Sequence, residues 1–406
     1  MIAAASPPRS SDNQIKTPLK YALRNFTQKA PPKPLPFVAL EHIQPGLGKT
    51  YPGFDWEEAE SDLNIAFDQD DILFGKLRPY LAKVLRADRA GCCTSELLVL
   101  RPTRVLSRYA YWLMLSNAVV DRAVASSTGV KMPRTRWDRL GREEIELPVE
   151  TKQRAIADFL DRETARIDAL LEKKHRLVEL LEAHTWAHFM RLVQESEAES
   201  IQLRRAFTFL TDGPFGSAFS SADYSENGAV VVRLGNIGFG EFRDSEVVFI
   251  PITMYGSFLR HKVLPGDLLI AGLGDTTNHA GRACVAPDLG PAIVKGKCFC
   301  ARVDWRVANA HYLALLLSSP MGTQLIGRES RGSTRTMINL DIVKSVFAPL
   351  PGVSTQDQIV ESTHAMRRQH SLAAGAALRQ IALLQEQRQA VITAAVTGQL
   401  DIREVA

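Results

Sequence analysis

The sequence predicts an α+β fold: two globular α/β domains in pseudo-two-fold repeat, separated by a pair of long antiparallel coiled-coil helices. Three observations lead there. The stretch from Lys152 to Val193 contains no Gly or Pro and places Ile156, Leu160, Ile167, Leu170, Leu171, Leu177 and Leu181 at helical spacing, with His184 and His188 continuing the face. A second such stretch, Thr355 to Thr397, carries Ile359, Thr363, Met366, His370, Ala377, Ile381, Leu384, Val391 and Ala395. The chain also repeats itself. Pro148 and Pro351, Gln153 and Gln356, Ile156 and Ile359, Tyr109 and Tyr312, and Ser116 and Ser319 all lie 203 residues apart, half of 406.

At about 1.5 Å per residue, each long helix would run roughly 60 Å, too far for an ordinary globular helix. Each therefore needs a partner along its length, and each can supply the other. The expected seam takes Ile156, Leu160, Ile167, Leu170, Leu177 and Leu181 from the first helix, and Ile359, Met366, Ile381, Leu384 and Val391 from the second. The alternative is two separate helices in two ordinary cores. Tandem copies tend to sit about a pseudo-two-fold axis; an axis crossing the helix pair makes the helices antiparallel and sets the mixed regions at opposite ends of a rod. Thr355 with Gln358 has the form of a capping box, and Gly398 is placed to end the second helix. Gly375 in its interior costs about 1 kcal/mol relative to Ala, so this helix leans on its partner.

Residues 1–36 read as an N-terminal arm: a disordered start to about residue 14, a short helix from Ile15 to Ala30, and a stiff extended run from Pro31 to Pro36. Residues 37–150 form the first mixed domain, with FVALEHI, DILF, LLVL and EIEL as strands and Ser107 to Val124 as a helix. The first long helix takes 151–193 and a short acidic linker 194–200. The second mixed domain, 201–351, shows VVVRL, VVFI, DLLIAG, ACVA and CFCARV between frequent glycines. The second long helix occupies 352–398 and a tail 399–406. Asp71-Ile72-Leu73 resembles Asp267-Leu268-Leu269 at an offset of 196, so the register of the two copies slips upstream of Tyr312.

Composition restricts function. A net charge of +4 permits a polyanionic partner without demanding one. Cys92, Cys93, Cys284, Cys298 and Cys300 form no CxxC pair, and their odd number argues against a disulfide framework and for reduced thiols. The chain contains no run of 18 apolar residues, and its N-terminus lacks a signal-peptide core, so a soluble cytoplasmic protein is expected.

Motifs of catalysis fail on inspection. Gly48-Lys49-Thr50 lacks the glycine that a phosphate loop needs five residues before its second one, since position 43 is Ile. Gly235-Asn-Ile-Gly-Phe-Gly and Gly272-Leu-Gly read as tight turns. His184 and His188 have the spacing of metal ligands but no third ligand or catalytic carboxylate, so they read as polar seam or surface groups. No catalytic residue, metal site or cofactor is expected in this chain. The positive signal lies in loops: Lys76, Arg78 and Tyr80 after DILF; Lys131, Arg134 and Arg136 after Gly129; Thr276, Thr277, Asn278 and Arg282 after DLLIAG; and Arg331, Ser333, Thr334 and Arg335 around Gly332. Such side chains contact phosphates and base edges. Singly each reads equally as a solvated loop, but matching places in two copies point to function.

Several of these segments resemble the specificity subunit of type I restriction-modification enzymes. The similarity is carried by Gly-Asp-Leu-Leu-Ile (266–270) with Asp-Asp-Ile-Leu-Phe (70–74), by Leu147-Pro148 before Gln153 and Leu350-Pro351 before Gln356, and by the ending Arg388-Gln-Ala-Val-Ile-Thr-Ala-Ala-Val-Thr-Gly-Gln-Leu. Gly213-Pro-Phe-Gly-Ser and Arg233-Leu-Gly-Asn-Ile add to it. Lys152 and Asp357 depart from the Glu that the family usually places there. The resemblance implies that the mixed regions are target-recognition domains for double-stranded DNA, each reading half of a bipartite site, with the helix pair as a ruler of at most roughly 18 base pairs. It implies further partners: two modification subunits that hold S-adenosylmethionine and methylate adenine, and restriction subunits that use ATP and Mg²⁺. The competing readings are a non-DNA coiled-coil scaffold and a nuclease of unrecognised type.

Overall fold

The computed structural model describes residues 15–61, 63–214, 220–245, 247–329 and 337–400. The chain divides into two compact units, residues 1–175 with 378–406, and residues 176–377. The long helices, Glu150–Glu195 and Val353–Val396, each contribute to both. A unit is thus one mixed domain together with the helix segments that it packs on, rather than a mixed domain bounded at residue 150 or 351.

In the first unit a four-stranded sheet has the order Leu23–Phe26, Leu97–Pro102, Ile72–Gly75, Val84–Arg86, all neighbours antiparallel. Alternation along the strands divides it between two cores. Ile72, Phe74, Leu98 and Leu100 face the helices, sharing a core with Tyr109, Leu113, Ile156, Leu160, Ile392 and Ala395. Leu73, Leu97 and Val99 face a second sheet and pack with Val38, Ile65, Phe67 and Cys93. That sheet runs Glu58–Ala59, Leu35–Val38, Gly91–Cys93, Ile65–Phe67, with one parallel pair.

The second unit repeats these layers. Its sheet order is Phe207–Asp212, Cys298–Val303, Leu268–Ala271, Ala283–Val285. Leu268, Ile270 and Phe299 pack with Tyr312, Phe189 and Ile359, whereas Leu269, Ala271, Cys298 and Cys300 pack with Val230, Val232 and Val294 of the other sheet.

Small contacts repeat as well. Buried Gln153 accepts from the Leu106 amide at 2.8 Å and donates to the Pro148 carbonyl at 2.8 Å. Gln356 does the same with Asn309 (2.8 Å) and Pro351 (2.7 Å). Each glutamine ties the start of a long helix to the first turn of a domain helix, Ser107–Leu115 or Ala310–Ser318.

Within each unit the long helices run antiparallel. Ile167 and Leu171 meet Ile381 and Leu384 in the first unit, where Ile156 and Leu160 share a core with Ile392 and Ala395. In the second, Thr185 Oγ1 lies 2.8 Å from His370 Nδ1 and His188 Nε2 lies 2.9 Å from Ser362 Oγ. The polar-seam reading of the histidines fits these pairs.

Several expectations need correction. Leu170 and Leu177 are 39% and 40% exposed, and the buried positions are Leu171 and Thr185. The phase slips because Thr164 and Thr185 occupy buried positions, their hydroxyls bonded to Leu160 O (2.6 Å) and Leu181 O (3.0 Å), and apolar spacing does not register them. Of Ile15 to Ala30 only Leu19–Ala22 is helical. Ile15–Pro18 pairs with Glu144–Leu147, and Leu23–Phe26 joins the main sheet, so from Ile15 onward the arm belongs to the first unit. Ser200–Gln202 pairs with Phe347–Pro349 in the same way, so the acidic linker ends inside the second copy. Ser107 to Val124 breaks at Ser116 into two helices. Thr355 and Gln358 form no capping box, because the helix begins earlier: the amides of Thr355 and Gln356 bond to Gly352 O. Gly398 does end the helix, at φ +73°. The disordered start expected for residues 1–14 lies outside the described residues.

Candidate nucleic-acid interface

In the first unit two loops are knitted into one surface. The chain leaves the buried strand Ile72–Gly75 through Lys76 and Leu77, and Leu77 bridges to Arg134. The Arg78 amide donates to Pro133 O (2.8 Å) and the Thr135 amide to Lys76 O (3.0 Å). Arg78 has φ +50°, a left-handed conformation that directs the following Pro79–Leu81 turn outward. Arg78, Tyr80, Lys131, Arg134 and Arg136 are exposed on this surface. Lys76 is half-buried; desolvation pulls its ammonium below the usual value, and Nζ donates to Ser95 O at 2.5 Å. Arg134 pairs with Glu96 at 2.9 Å, and Arg136 with Asp138 at 3.2 Å. These partners are exposed or part-exposed, so the pairs hold the cations in place at little stabilisation and leave them open to a stronger anion.

The second unit builds the same junction with other side chains. Leu273 bridges to Met337, and the Ile338 amide donates to Gly272 O at 2.9 Å. Asp275 organises the loop between them. Its Oδ1 accepts from the amides of Thr277 (2.8 Å) and Asn278 (2.7 Å), from Thr277 Oγ1 (2.9 Å) and from Asn278 Nδ2 (3.2 Å). The two backbone amides, with the side-chain donors behind them, hold this carboxyl well below the usual carboxylate range. Thr276 and Thr277 are exposed at the crest, and Asn278 is part-exposed.

Arg282 is withdrawn from the expected interface. It is 4% exposed and donates to the carbonyls of Ile237 (2.8 Å), Leu234 (2.8 Å), His279 (3.1 Å) and Leu273 (3.3 Å). Its long stem carries the guanidinium inward, where it satisfies carbonyls of two loops. Arg331, Ser333, Thr334 and Arg335 lie outside the described residues.

The rejected Gly48-Lys49-Thr50 segment has a structural task. Arg388, 3% exposed on the second long helix, bonds Asp168 at 2.9 Å and the carbonyls of Gly46 (3.1 Å) and Leu47 (3.0 Å). Tyr111 donates to Gly48 O at 3.0 Å, and a Cβ on Gly48 would fall 1.9 Å from that hydroxyl. The loop therefore clips the mixed domain of the first unit to its own helix segments. Sequence reasoning also passed over Glu96, Asp275, Val130 and Met132. The first two are single acids in cationic or neutral loops; Asp275 was signalled by the Asx-turn spacing Asp275-Thr-Thr-Asn, Glu96 by nothing local.

No family model and no curated protein matches the chain. Among solved structures, a chain from a study of complex assembly and conformational transition of the type I R-M system aligns over 97% of this chain and 100% of its own, with 17% identity and a TM-score of 0.65. This chain shares that fold. The HsdS subunit from Thermoanaerobacter tengcongensis aligns over 97% of this chain and 99% of its own at 16% identity, with a TM-score of 0.45. The type I restriction-modification S subunit from M. genitalium aligns over 97% and 98% at 12% identity, with a TM-score of 0.37.

Among the described residues no helix is long and apolar enough to cross a membrane.

Proposed function

We propose that this chain is the specificity subunit of a type I restriction-modification complex. In this reading it is a non-catalytic, sequence-specific DNA-binding protein that recognises a bipartite asymmetric site. It directs an adenine-N6 methyltransferase and ATP-dependent restriction subunits to that site. The observation that carries the proposal is the loop junction built once in each unit, Leu77 with Arg134 and Leu273 with Met337, at the end of the same buried strand. Two equivalent surfaces with unlike side chains suit two half-sites of unlike sequence.

Each junction would enter the major groove. Cations of the first unit would neutralise phosphates and supply affinity that falls with salt, while Arg, Lys and Asn donors select base edges. The target adenine would be extruded into a pocket of the modification subunit, which holds S-adenosylmethionine; ATP and Mg²⁺ would belong to the restriction subunits. Each unit carries exposed leucines on its helix segments, Leu170, Leu378 and Leu383 in the first and Leu177, Leu180 and Leu372 in the second. One modification subunit on the helix segments of each unit would account for two copies. The complex would act in the cytoplasm, where its DNA is.

The test is co-expression with a type I modification subunit from the same genome, followed by mapping of methylated adenines in host DNA. One bipartite motif that changes when Lys131 and Arg134 are replaced by Ala supports the reading. Binding to duplex DNA that ignores salt and sequence favours a scaffold, and metal-dependent cleavage by the isolated chain favours a nuclease.

A further inference from the structure

The cationic loop of the first unit ends in an apolar tip. Thr128 and Arg134 exchange both backbone hydrogen bonds, at 3.0 and 2.9 Å, and so close a hairpin. Gly129 opens the turn at φ +96°, a conformation that side-chain-bearing residues rarely adopt. The stem is held again from the neighbouring loop by the amides of Arg78 and Thr135, each bonded across the junction. At the crest Val130 is 100% exposed and Met132 57% exposed, on either side of Lys131. One exposed apolar residue needs no explanation. Two on a fixed stem ringed by cations are different, because the cations would bring this tip against a polyanion.

We propose that Val130 and Met132 read thymine C5-methyl groups in the half-site bound by the first unit. The proposal rests on the DNA-reading function above. Within the major groove the thymine methyl is the one apolar group that the bases present, and apolar side chains are its usual contacts. Phosphate contacts from Arg78 and Arg136, exposed on the same surface, would press the tip towards the base edges without carrying sequence information themselves. The stem's hydrogen bonds fix the tip before binding, so little order has to be gained on contact. It follows that the first half-site contains an A·T or T·A pair beneath the tip.

The experiment uses the full chain in complex with its modification subunit, on duplexes that carry the bipartite site defined by methylation mapping. Each thymine of the half-site assigned to the first unit is replaced singly by deoxyuridine, which removes only the methyl. The unaltered complex is expected to lose about three- to five-fold in affinity at one or two thymines, the scale of one buried methyl group. A Val130→Ser, Met132→Gln chain is expected to bind the all-thymine duplex about as weakly and to ignore the substitution. The uridine scan on the unaltered chain needs no variant. Equal affinity for every uridine duplex, the same uridine sensitivity in the variant, or a half-site without thymine would each overturn the inference and leave DNA reading intact. Binding that fails to distinguish the mapped site from random duplex would overturn both.

Discussion

Arg282 directs its guanidinium at the carbonyls of Leu234, Ile237, Leu273 and His279, in a place where water cannot replace it. Burial pulls its pKa below the ordinary arginine value. Arg282→Ala would leave buried carbonyls unsatisfied and should cost about 3 kcal/mol by chemical denaturation; Arg282→Lys should recover little, because an ammonium cannot fork to these acceptors. Unchanged stability with weakened DNA binding would return Arg282 to the interface. The cysteines pose the same question of placement. Burial pushes the thiols of Cys93, Cys284 and Cys298 up to about 12, and all five cysteines are free and buried. Alkylation at neutral pH should therefore be slow in the native chain and complete after unfolding, as mass spectrometry would record. Residue type alone placed Arg282 in the interface, because an arginine after Thr-Asn-His on a loop looks the same whether it points out or in.

The long helices were legible almost to their ends: 151–193 was expected and Glu150–Glu195 is found. Their facing residues were legible only in part. Leu171→Ala should cost about 2–3 kcal/mol, whereas Leu170→Ala should stay within about 0.5 kcal/mol, as thermal or chemical unfolding of the two variants would compare. Equal losses would restore the seam first drawn from spacing. The glutamine ties are a second property of the elements. Gln153→Ala or Gln356→Ala leaves a backbone amide and a backbone carbonyl without their side-chain partner and should cost about 2 kcal/mol, read as a lower unfolding midpoint. His311 and His364, ring centroids 5.8 Å apart, join a domain helix to the second long helix. Burial lowers both pKa values from 6.5, and for His364 the charges of His311 and Arg367 add to the effect while Glu241 opposes it. The unfolded chain therefore binds more protons just below pH 6.5. Stability is full above 6.5 and declines as pH falls through it. The dependence of unfolding temperature on pH in that window should flatten in His364→Gln.

For the molecule as a whole, the proposed function makes the two halves of the motif separable. Changing Lys131 and Arg134 to Ala should disturb one half of the methylated motif and leave the other intact, whereas changing Arg78 and Arg136 to Ala should lower the slope of log affinity against log salt by about 2. A uniform loss over both halves would mean that the first unit's loops do not read one half alone. The repeat, the long helices and about half of the strands could be taken from the chain directly because each is a local pattern: a recurrence at 203 residues, a period near 3.6, or a short apolar run between turns. The strand Ile15–Pro18 escaped because its partner, Glu144–Leu147, lies far along the chain and its own four residues carry no alternation to mark it. The same limit governs the interface. Periodicity says that a residue has a buried side; it does not say which distant segment covers it. The junction of Leu77 with Arg134, the burial of Arg282 and the exposure of Val130 all follow from contacts between segments that only folding brings together.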